Sequence, residues 1–453
     1  MTIVVRGCDL VDGRGTEPRH GVDIVIEGDT VREIAEPGNG AYPSAEVVAA
    51  TGMLVIPGLI NNHTHGTAYG PLFPSGHEPL PLAQVHANLD RHLLEGTTTL
   101  LCVDGFITAE AVARTDDAHP VNVKAASCNT PACLEAATIA DGGGLTDAHR
   151  AFTARQAVAE GAVALGEIGA GHTLGGGGAS YLYIPQEIAR RTGVTVTAWQ
   201  ANEIKVAVLG RHITTSAFDR DAVEEALAGA GLTGKLSVED AREIVSGVVL
   251  PAFDVALRGL AEAADEARAL GVPVLVHNAA ASMTQVAAIA RTDVRMIAGH
   301  SNHPSFTTRE ALDHAERLKE RGVVIDVSIL DTFGGRRPNM TPDLLYAMFE
   351  AGLVDTISTD YAAGHHDPIL LAIDRATKAG VVGLPAAIAM ATSTVADVFP
   401  GLAPRRGRIV PGAIADLVVT DPAALENVRT VMIGGRIVVR EGRRVTDEAS
   451  DDR

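Results

Sequence analysis

Eight short apolar runs, each typical of a buried β-strand, alternate with helical stretches over about 350 of the 453 residues of this chain. Repeated strand–helix units form a parallel sheet, because the helix carries the chain back to the starting edge. Eight such units predict an α/β protein with a closed (β/α)8 TIM-like barrel, and an open doubly wound sheet is the alternative. The predicted strands are residues 53–60, 97–103, 121–127, 162–168, 272–277, 294–300, 322–327 and 355–359.

Both ends of the chain differ from this middle part. The first and last ~50 residues contain short strand-like runs separated by turn pairs such as Asp12-Gly13. We therefore expect a small β-sandwich domain built from residues 1–56 and 403–453, with the barrel at 57–402. Residues 447–453 are polar, and we expect them to fray.

One connection is far longer than the others. The fourth and fifth predicted strands are 103 residues apart, whereas most connections are only a few residues long. The glycine-rich segment GHTLGGGG at 171–178 opens this stretch, and SVEDAREIV looks like the start of a helix. We expect an insertion at about 172–255 that is either a lid over the barrel mouth or a peripheral addition without a role in activity.

Charge and composition exclude several classes of function. The formal net charge of −19 argues against a nucleic-acid-binding face and against binding to an anionic membrane surface. No apolar run approaches the ~18 residues of a membrane span and no signal peptide is visible, which predicts a cytoplasmic protein with no membrane partner. Four cysteines are too few for a disulfide framework.

Ligand-type side chains stand at the ends of five predicted strands. The carboxyl ends of the strands form the catalytic face of a barrel, so these side chains are expected to meet there. The first strand supplies an H-x-H pair, whose members are two residues apart and can face the same side. The six residues are His63, His65, Glu167, His277, His300 and Asp360.

This combination predicts a metal site. Imidazoles and carboxylates at a dry barrel mouth are costly unless they are paired or bound to metal. A single H-x-H is weak evidence, because a chain with 16 histidines can contain one by chance. Six ligand-type residues at five strand ends rarely arise that way. Mixed histidine and carboxylate ligation suits zinc, manganese or iron.

The local sequences at these strand ends are PGLINNHTHG, GEIG, LVHN, AGHSNH and STDYAAG, and PGAIADLVV lies near the C-terminus. Together they resemble the amidohydrolase superfamily of metal-dependent hydrolases, over almost the whole chain apart from the insertion. The resemblance implies two divalent metal ions, with zinc favoured over manganese or iron. It assigns the two histidines of the first strand to the more buried ion, and those of the fifth and sixth strands to the more exposed ion.

Two carboxylates have special roles in this resemblance. Glu167 matches the ligand that bridges the two ions, where many members carry a carbamylated lysine and others a glutamate. The segment ALGEIGAG contains no lysine, so a glutamate bridge is implied. Asp360 matches the catalytic aspartate that binds the buried ion and shuttles a proton.

The resemblance implies hydrolysis of a non-peptide amide C–N bond by a metal-bridging hydroxide, with Asp360 as the proton shuttle. The short strand-4 motif looks most like enamidase and its relatives, which suggests a cyclic amide, lactam or enamide. An N-acyl amino acid, imidazolone or hydantoin hydrolase, a lactonase, and a catalytically silent metal-binding member are alternatives. A deaminase is less favoured, because Asn278-Ala279-Ala280 follows His277 where the related deaminases carry a glutamate.

Other side chains near the strand ends are weaker candidates. Those expected to contact a small-molecule substrate are Tyr69, as part of the pocket wall, and His172, His303 and His365. His303 and His365 are also explained as solvent-facing residues. Asp104 and Asp331 are candidates for orienting metal-binding histidines. Cys102 is not expected to be a nucleophile, because no base is placed beside it. By analogy with the family, a homo-oligomer is expected, either a dimer or a tetramer.

Overall fold

The computed structural model describes residues 1–36, 42–334, 341–362 and 366–445, without the side chains of 361 and 362. The strands are β1 (Thr2–Leu10), β2 (Arg19–Glu27), β3 (Thr30–Ala35), β4 (Glu46–Ala49), β5 (Leu54–Pro57), β6 (Leu59–His65), β7 (Thr97–Gly105), β8 (Asn122–Ser127), β9 (Ala164–Ile168), β10 (Val274–His277), β11 (Met296–Gly299), β12 (Val324–Ser328), β13 (Thr356–Ser358), β14 (Tyr361–Ala362), β15 (Leu417–Asp421), β16 (Ala424–Ile433), β17 (Arg436–Arg440) and β18 (Arg443–Arg444).

Helices follow most of the barrel strands. They are α1 (Leu82–Leu94), α2 (Ala109–Ala118), α3 (Pro131–Ala140), α4 (Asp147–Ala151), α5 (Ala154–Ala159), α6 (Ile184–Thr192), α7 (Ala198–Leu209), α8 (Arg220–Gly229), α9 (Val238–Leu270), α10 (Met283–Ile289), α11 (Thr308–Lys319), α12 (Pro342–Glu350), α13 (Ile369–Lys378), α14 (Leu384–Met390) and α15 (Ser393–Val398). A π-helical turn (Ala179–Tyr183) leads into α6, and a 3₁₀ turn (Thr215–Ala217) follows α7.

The middle of the chain forms a barrel. Strands β6 to β13 pair in chain order, each parallel to its neighbour. The short strand β14 follows β13 and pairs with β6, with Tyr361 opposite Thr64, so the sheet returns to its first strand. The predicted (β/α)8 barrel is therefore confirmed.

The first predicted strand is wrong in one respect. The run 53–60 is not a single strand, because it breaks at Gly58 into β5 and β6. Strand β5 pairs with β1 and β15 in the terminal sheet, whereas β6 pairs with β7 in the barrel. A Cβ atom at Gly58 would lie 2.3 Å from the Thr98 hydroxyl, so the chain passes from one sheet to the other where a side chain does not fit.

The terminal segments join as the sequence predicts. Nine strands, β1 to β5 and β15 to β18, form one mostly antiparallel sheet separate from the barrel. Apolar side chains from both ends of the chain share one core, including Val5, Ile24, Leu417 and Met432. The predicted fraying of 447–453 lies outside the described residues.

The insertion is helical and has its own apolar core. Helices α6, α7 and α8 pack with the first half of α9 around Ile188, Ile204, Val223 and Val245. The predicted boundary at 255 is wrong, because α9 runs unbroken for 33 residues from the insertion into the helix that precedes β10. Pro251 lies inside this helix without ending it.

Helix α9 also corrects an expectation about apolar length. By length and composition alone, an 18-residue window within α9 is apolar enough to cross a membrane. Half of that window is buried inside the fold, and Gly259 of α9 lies close to Cys133 of α3. Core helices of globular proteins pass the same test, so α9 is weak evidence for a membrane span.

Candidate metal centre

The six ligand-type side chains predicted from the strand ends meet at the carboxyl end of the barrel. Glu167 lies at their centre, and its two oxygens face different partners. Oε1 lies 2.9 Å from His277 Nδ1 and 2.8 Å from His300 Nε2. Oε2 lies 3.7 Å from His63 Nε2 and 3.6 Å from His65 Nε2. Asp360 Oδ1 is 3.4 and 3.7 Å from the same two nitrogens of His63 and His65.

These groups are buried, with one exception. The side chains of the four histidines and Glu167 are almost fully enclosed, whereas the Asp360 side chain is 18% exposed. Burial raises the pKa of the Glu167 carboxyl, but the surrounding imidazoles outweigh it and hold that pKa well below its usual value. Burial lowers the pKa of His300, but the hydrogen bond to Glu167 and the charge of that carboxylate together have the larger effect and raise the pKa to about 9.

Asp104 at the end of β7 orients His65. Its carboxylate accepts a hydrogen bond of 2.9 Å from His65 Nδ1 and further bonds from the backbone N–H groups of Gly66 and Phe73. Burial lowers the pKa of His65, but its bonds to Asp104 and Glu167 raise it to about 10. The second nitrogen of the ring is therefore aimed at Glu167 and Asp360. The structure thus shows the contact expected of Asp104.

His63 provides a test of whether a metal ion fits here. Both ring nitrogens are buried and have no hydrogen-bond partner among the described residues. Nε2 lies 3.4–3.7 Å from carboxylate oxygens of Asp360 and Glu167, too far for hydrogen bonds. Ligand atoms about 2.0–2.2 Å from a tetrahedral zinc ion lie about 3.3–3.6 Å from one another. The spacing around His63 therefore fits a metal ion between the ligands.

The backbone turns sharply at two of these positions. His300 and Asp360 have φ values of 37° and 46°, in the left-handed region that residues other than glycine rarely adopt. His300 directly follows β11, and Asp360 lies between β13 and β14, directly before β14. Such outliers persist where the surrounding structure holds them, and they cluster at functional sites.

A cavity of about 1300 Å³ opens from this cluster. Its walls combine strand-end residues with the glycine-rich segment 171–178 and with α7 and α8 of the insertion. His172 lines the cavity and stacks on Phe73, with ring centroids 4.2 Å apart. His303 also lines it, with its ring 5.4 Å from those of His277 and His300. The insertion therefore forms part of the cavity wall.

Tyr69 lies elsewhere, among helices outside the barrel. Its hydroxyl is 2.9 Å from His86 Nε2, the guanidinium of Arg114 covers its ring, and it is not among the residues that line the cavity. The structure therefore does not place Tyr69 at the pocket wall. His365 lies outside the described residues. Burial raises the pKa of the Cys102 thiol well above its usual value, as expected for an inert side chain.

Two cavity residues have no signal in the sequence. Phe73 follows the H-x-H pair by eight residues, and only its φ of 60° and its N–H bond to Asp104 place it against His65. Lys205 is an isolated lysine in the insertion, and α7 turns it inward to the cavity. Neither position follows a motif, so only the folded chain identifies them.

The fold and this cluster define a class: a β/α-barrel protein with a carboxylate and imidazole centre suited to metal ions at its C-terminal mouth. The family model described as "Amidohydrolase family" matches residues 185–438, more than half of the chain. The protein belongs to the amidohydrolase family, as the strand-end motifs predict. The family and the cluster support a metal-binding hydrolase that acts on small molecules.

Known proteins similar to this chain agree with the family. A dihydroorotase of Geobacter metallireducens is 25% identical over 94% of this chain and 91% of its own length. The crystal structure of a β-aspartyl dipeptidase from Fervidobacterium islandicum has a TM-score of 0.58 at 15% identity, with 98% of each chain covered. That of an N-acyl-D-glutamate deacylase from Bordetella bronchiseptica has a TM-score of 0.54 at 18% identity, again with 98% of each covered. At these identities the structures support the fold alone.

Proposed function

We propose that this protein hydrolyses a non-peptide amide C–N bond and that cyclic amides, lactams or enamides are its substrates. The proposal rests on the arrangement of the four histidines around the carboxylate of Glu167. One oxygen faces His277 and His300, and the other faces His63 and His65. A carboxylate with two pairs of imidazoles on its two oxygens is arranged to bridge two ions. We infer two divalent metal ions, with zinc favoured.

Two such ions, when bound, supply an activated water and polarise a carbonyl group. The protein's own residues supply the proton transfers. Asp360 is the one member of the cluster with an exposed carboxylate, and it lines the cavity. It accepts the proton of the attacking water and returns it to the leaving nitrogen, a role that requires it to reach both. Glu167 stays ionised throughout, because the imidazoles hold its pKa low.

Linear N-acyl amino acids are the second candidate class, and the size of the cavity favours them. A volume of about 1300 Å³ exceeds the roughly 300–1,000 Å³ of most small-molecule pockets. The walls from the insertion extend the cavity beyond the barrel mouth, where a linear acyl chain fits better than a small ring. The similar proteins include a dihydroorotase, a dipeptidase and a deacylase, so ring opening and linear cleavage both belong in the test.

The proposal is tested by assaying the protein, loaded with zinc, manganese or iron, against cyclic amides, lactams, imides and N-acyl amino acids. We expect about two ions per chain by elemental analysis, turnover of at least one cyclic amide, and loss of turnover with a chelator. A fully loaded protein that cleaves none of these amides would show that the proposed function is wrong. That outcome would favour the catalytically silent metal-binding alternative, and a stable protein that binds no metal would exclude both.

Replacing Asp104 should weaken metal binding without removing a ligand. Asp104→Asn keeps the shape of the side chain but loses the charge that His65 Nδ1 and two backbone N–H groups contact. Loss of such an orienting partner typically costs about 10–100-fold in metal affinity. Competition with a calibrated chelator measures the change. Asp90→Asn is the matched control, since Asp90 also contacts an imidazole, that of His119, away from the cavity.

Two neighbouring glycines give a sharp comparison at the cavity wall. A Cβ at Gly178 would lie 2.3 Å from the His172 ring and 2.7 Å from its Cα, whereas one at Gly177 would meet only the Tyr181 ring at 3.8 Å. Gly178→Ala should therefore displace His172 and lower kcat/KM by about 10–100-fold on the substrate found above. Gly177→Ala should change kcat/KM less than about twofold. Equal kinetics for the two variants would contradict a role of this wall in binding.

A further inference from the structure

Lys205 is a buried cation in the wall of the cavity. It lies on α7 of the insertion and is 7% exposed. Its ammonium group donates one hydrogen bond of 2.7 Å, to the backbone carbonyl of Gly175. No carboxylate lies within ion-pair distance of it among the described residues. Burial lowers the pKa of Lys205 to about 8, so the side chain is mostly charged at neutral pH.

A single bond to a neutral carbonyl does not compensate the burial of an ammonium group, which has three protons to donate. The other cation that lines the cavity, Arg211, already has a carboxylate partner, because its guanidinium lies 2.7 Å from Glu310. The acidic residues that line the cavity apart from the metal cluster, Glu203, Asp219 and Glu225, are exposed to solvent. Of these two cations in the cavity wall, Lys205 is therefore the one that can pair with an anionic ligand.

Lys205 and the proposed metal centre line the same cavity. This cavity is also lined by His303, whose ring is 5.4 Å from those of His277 and His300. The glycine-rich segment that Lys205 holds also contacts the centre, since a Cβ at Gly171 would lie 3.7 Å from the His277 ring. An anionic group beside Lys205 would therefore share one cavity with an amide bound at the metal cluster.

We propose that Lys205, beside Gly175 in the cavity wall, binds a carboxylate carried by the substrate. This inference rests on the proposed amide hydrolysis and narrows it to anionic amides, such as N-acyl amino acids or carboxylated cyclic amides. The carboxylate accepts hydrogen bonds from the ammonium N–H groups that do not bond to Gly175. The buried charge then has its counter-charge only in the complex, so binding favours the anion over a neutral isostere.

The test compares matched substrates that differ only in this group: N-acetyl amino acids and a carboxylated cyclic amide, each beside its carboxamide. Wild-type protein should prefer the anionic member by about 30-fold or more in kcat/KM, the low end for one partner of a buried charge pair. Lys205→Met should reduce that ratio to near one, mainly through KM, and Lys205→Arg should restore most of it. Lys235→Met, an exposed lysine of the same insertion, is the control and should keep the wild-type ratio.

The outcomes separate this inference from the proposed function. Equal wild-type rates on both members of each pair overturn the inference, whatever the variants do. Equal losses on both members in Lys205→Met show a role in holding Gly175 alone and overturn it too. If no amide is cleaved, calorimetric binding of the N-acetyl amino acids decides the matter. Binding at least about 30-fold weaker in Lys205→Met supports the anion site although the proposed function fails, whereas equal binding overturns the site.

Discussion

A Glu167→Gln variant should bind less than one metal ion per chain where the wild-type protein binds about two, and it should lose nearly all turnover. Glutamine keeps the size of the side chain but removes the charge that faces all four imidazoles. Two divalent ions would then have Asp360 as their only carboxylate partner in the cluster, and uncompensated buried charge is costly. Several kcal/mol of metal-derived stabilisation correspond to a loss of about 10³-fold or more in kcat/KM.

Elemental analysis after dialysis and kinetics on the best cyclic or linear amide measure this prediction. Glu262→Gln is the matched control, because Glu262 accepts its hydrogen bonds from the Ala132 backbone, away from the cluster. Its metal content and turnover should equal those of the wild-type protein. A Glu167→Gln protein that retains two ions per chain would show that Glu167 does not bridge them.

The sequence predicts most of this site because barrels gather strand ends. Once eight alternating units imply a closed barrel, residues as distant as His63 and Asp360 must meet at one face, and the structure places them 3.4 Å apart. Local signals are equally clear where periodicity is strong. Helix α11, Thr308–Lys319, begins at a capping box formed by Thr307 and Glu310, a pattern that is visible in the sequence.

Sequence reasoning fails where long-range packing decides the outcome. The run 53–60 contains the turn pair Pro57-Gly58, but only the folded chain shows that the two halves enter different sheets and that Gly58 packs against Thr98 of a neighbouring strand. The predicted insertion boundary at about 255 lies inside α9, because α9 packs against both α3 and the helices of the insertion and stays continuous through Pro251. Lys205 and Phe73 reach the cavity through the tertiary fold of loops and insertions, which no pattern of spacing encodes.

Asp360→Asn should separate metal binding from catalysis. Asparagine keeps an oxygen at the position that lies 3.4 Å from His63 Nε2, so metal content should stay at about two ions per chain. It can neither accept the proton of the attacking water nor return it to the leaving nitrogen. General acid–base catalysis contributes about 10²–10⁴-fold, and both transfers pass through this one carboxylate, so kcat for an amide should fall by at least about 10³-fold.

A substrate that does not need a protonated leaving group gives a further test of the Asp360→Asn prediction. An activated aryl ester has a leaving group that needs no proton, so Asp360→Asn should lose about tenfold less rate on the ester than on the amide.

Asp355 provides the matched control, because it lies just before β13, at the end of this strand opposite to Asp360. Its carboxylate accepts a hydrogen bond from the backbone N–H of Ile325. Asp355→Asn should cost about 1 kcal/mol of stability and leave turnover intact, because that end of a barrel serves stability. Normal amide turnover by Asp360→Asn would remove the proton shuttle from the mechanism, since no other exposed carboxylate of the cluster is available to replace it.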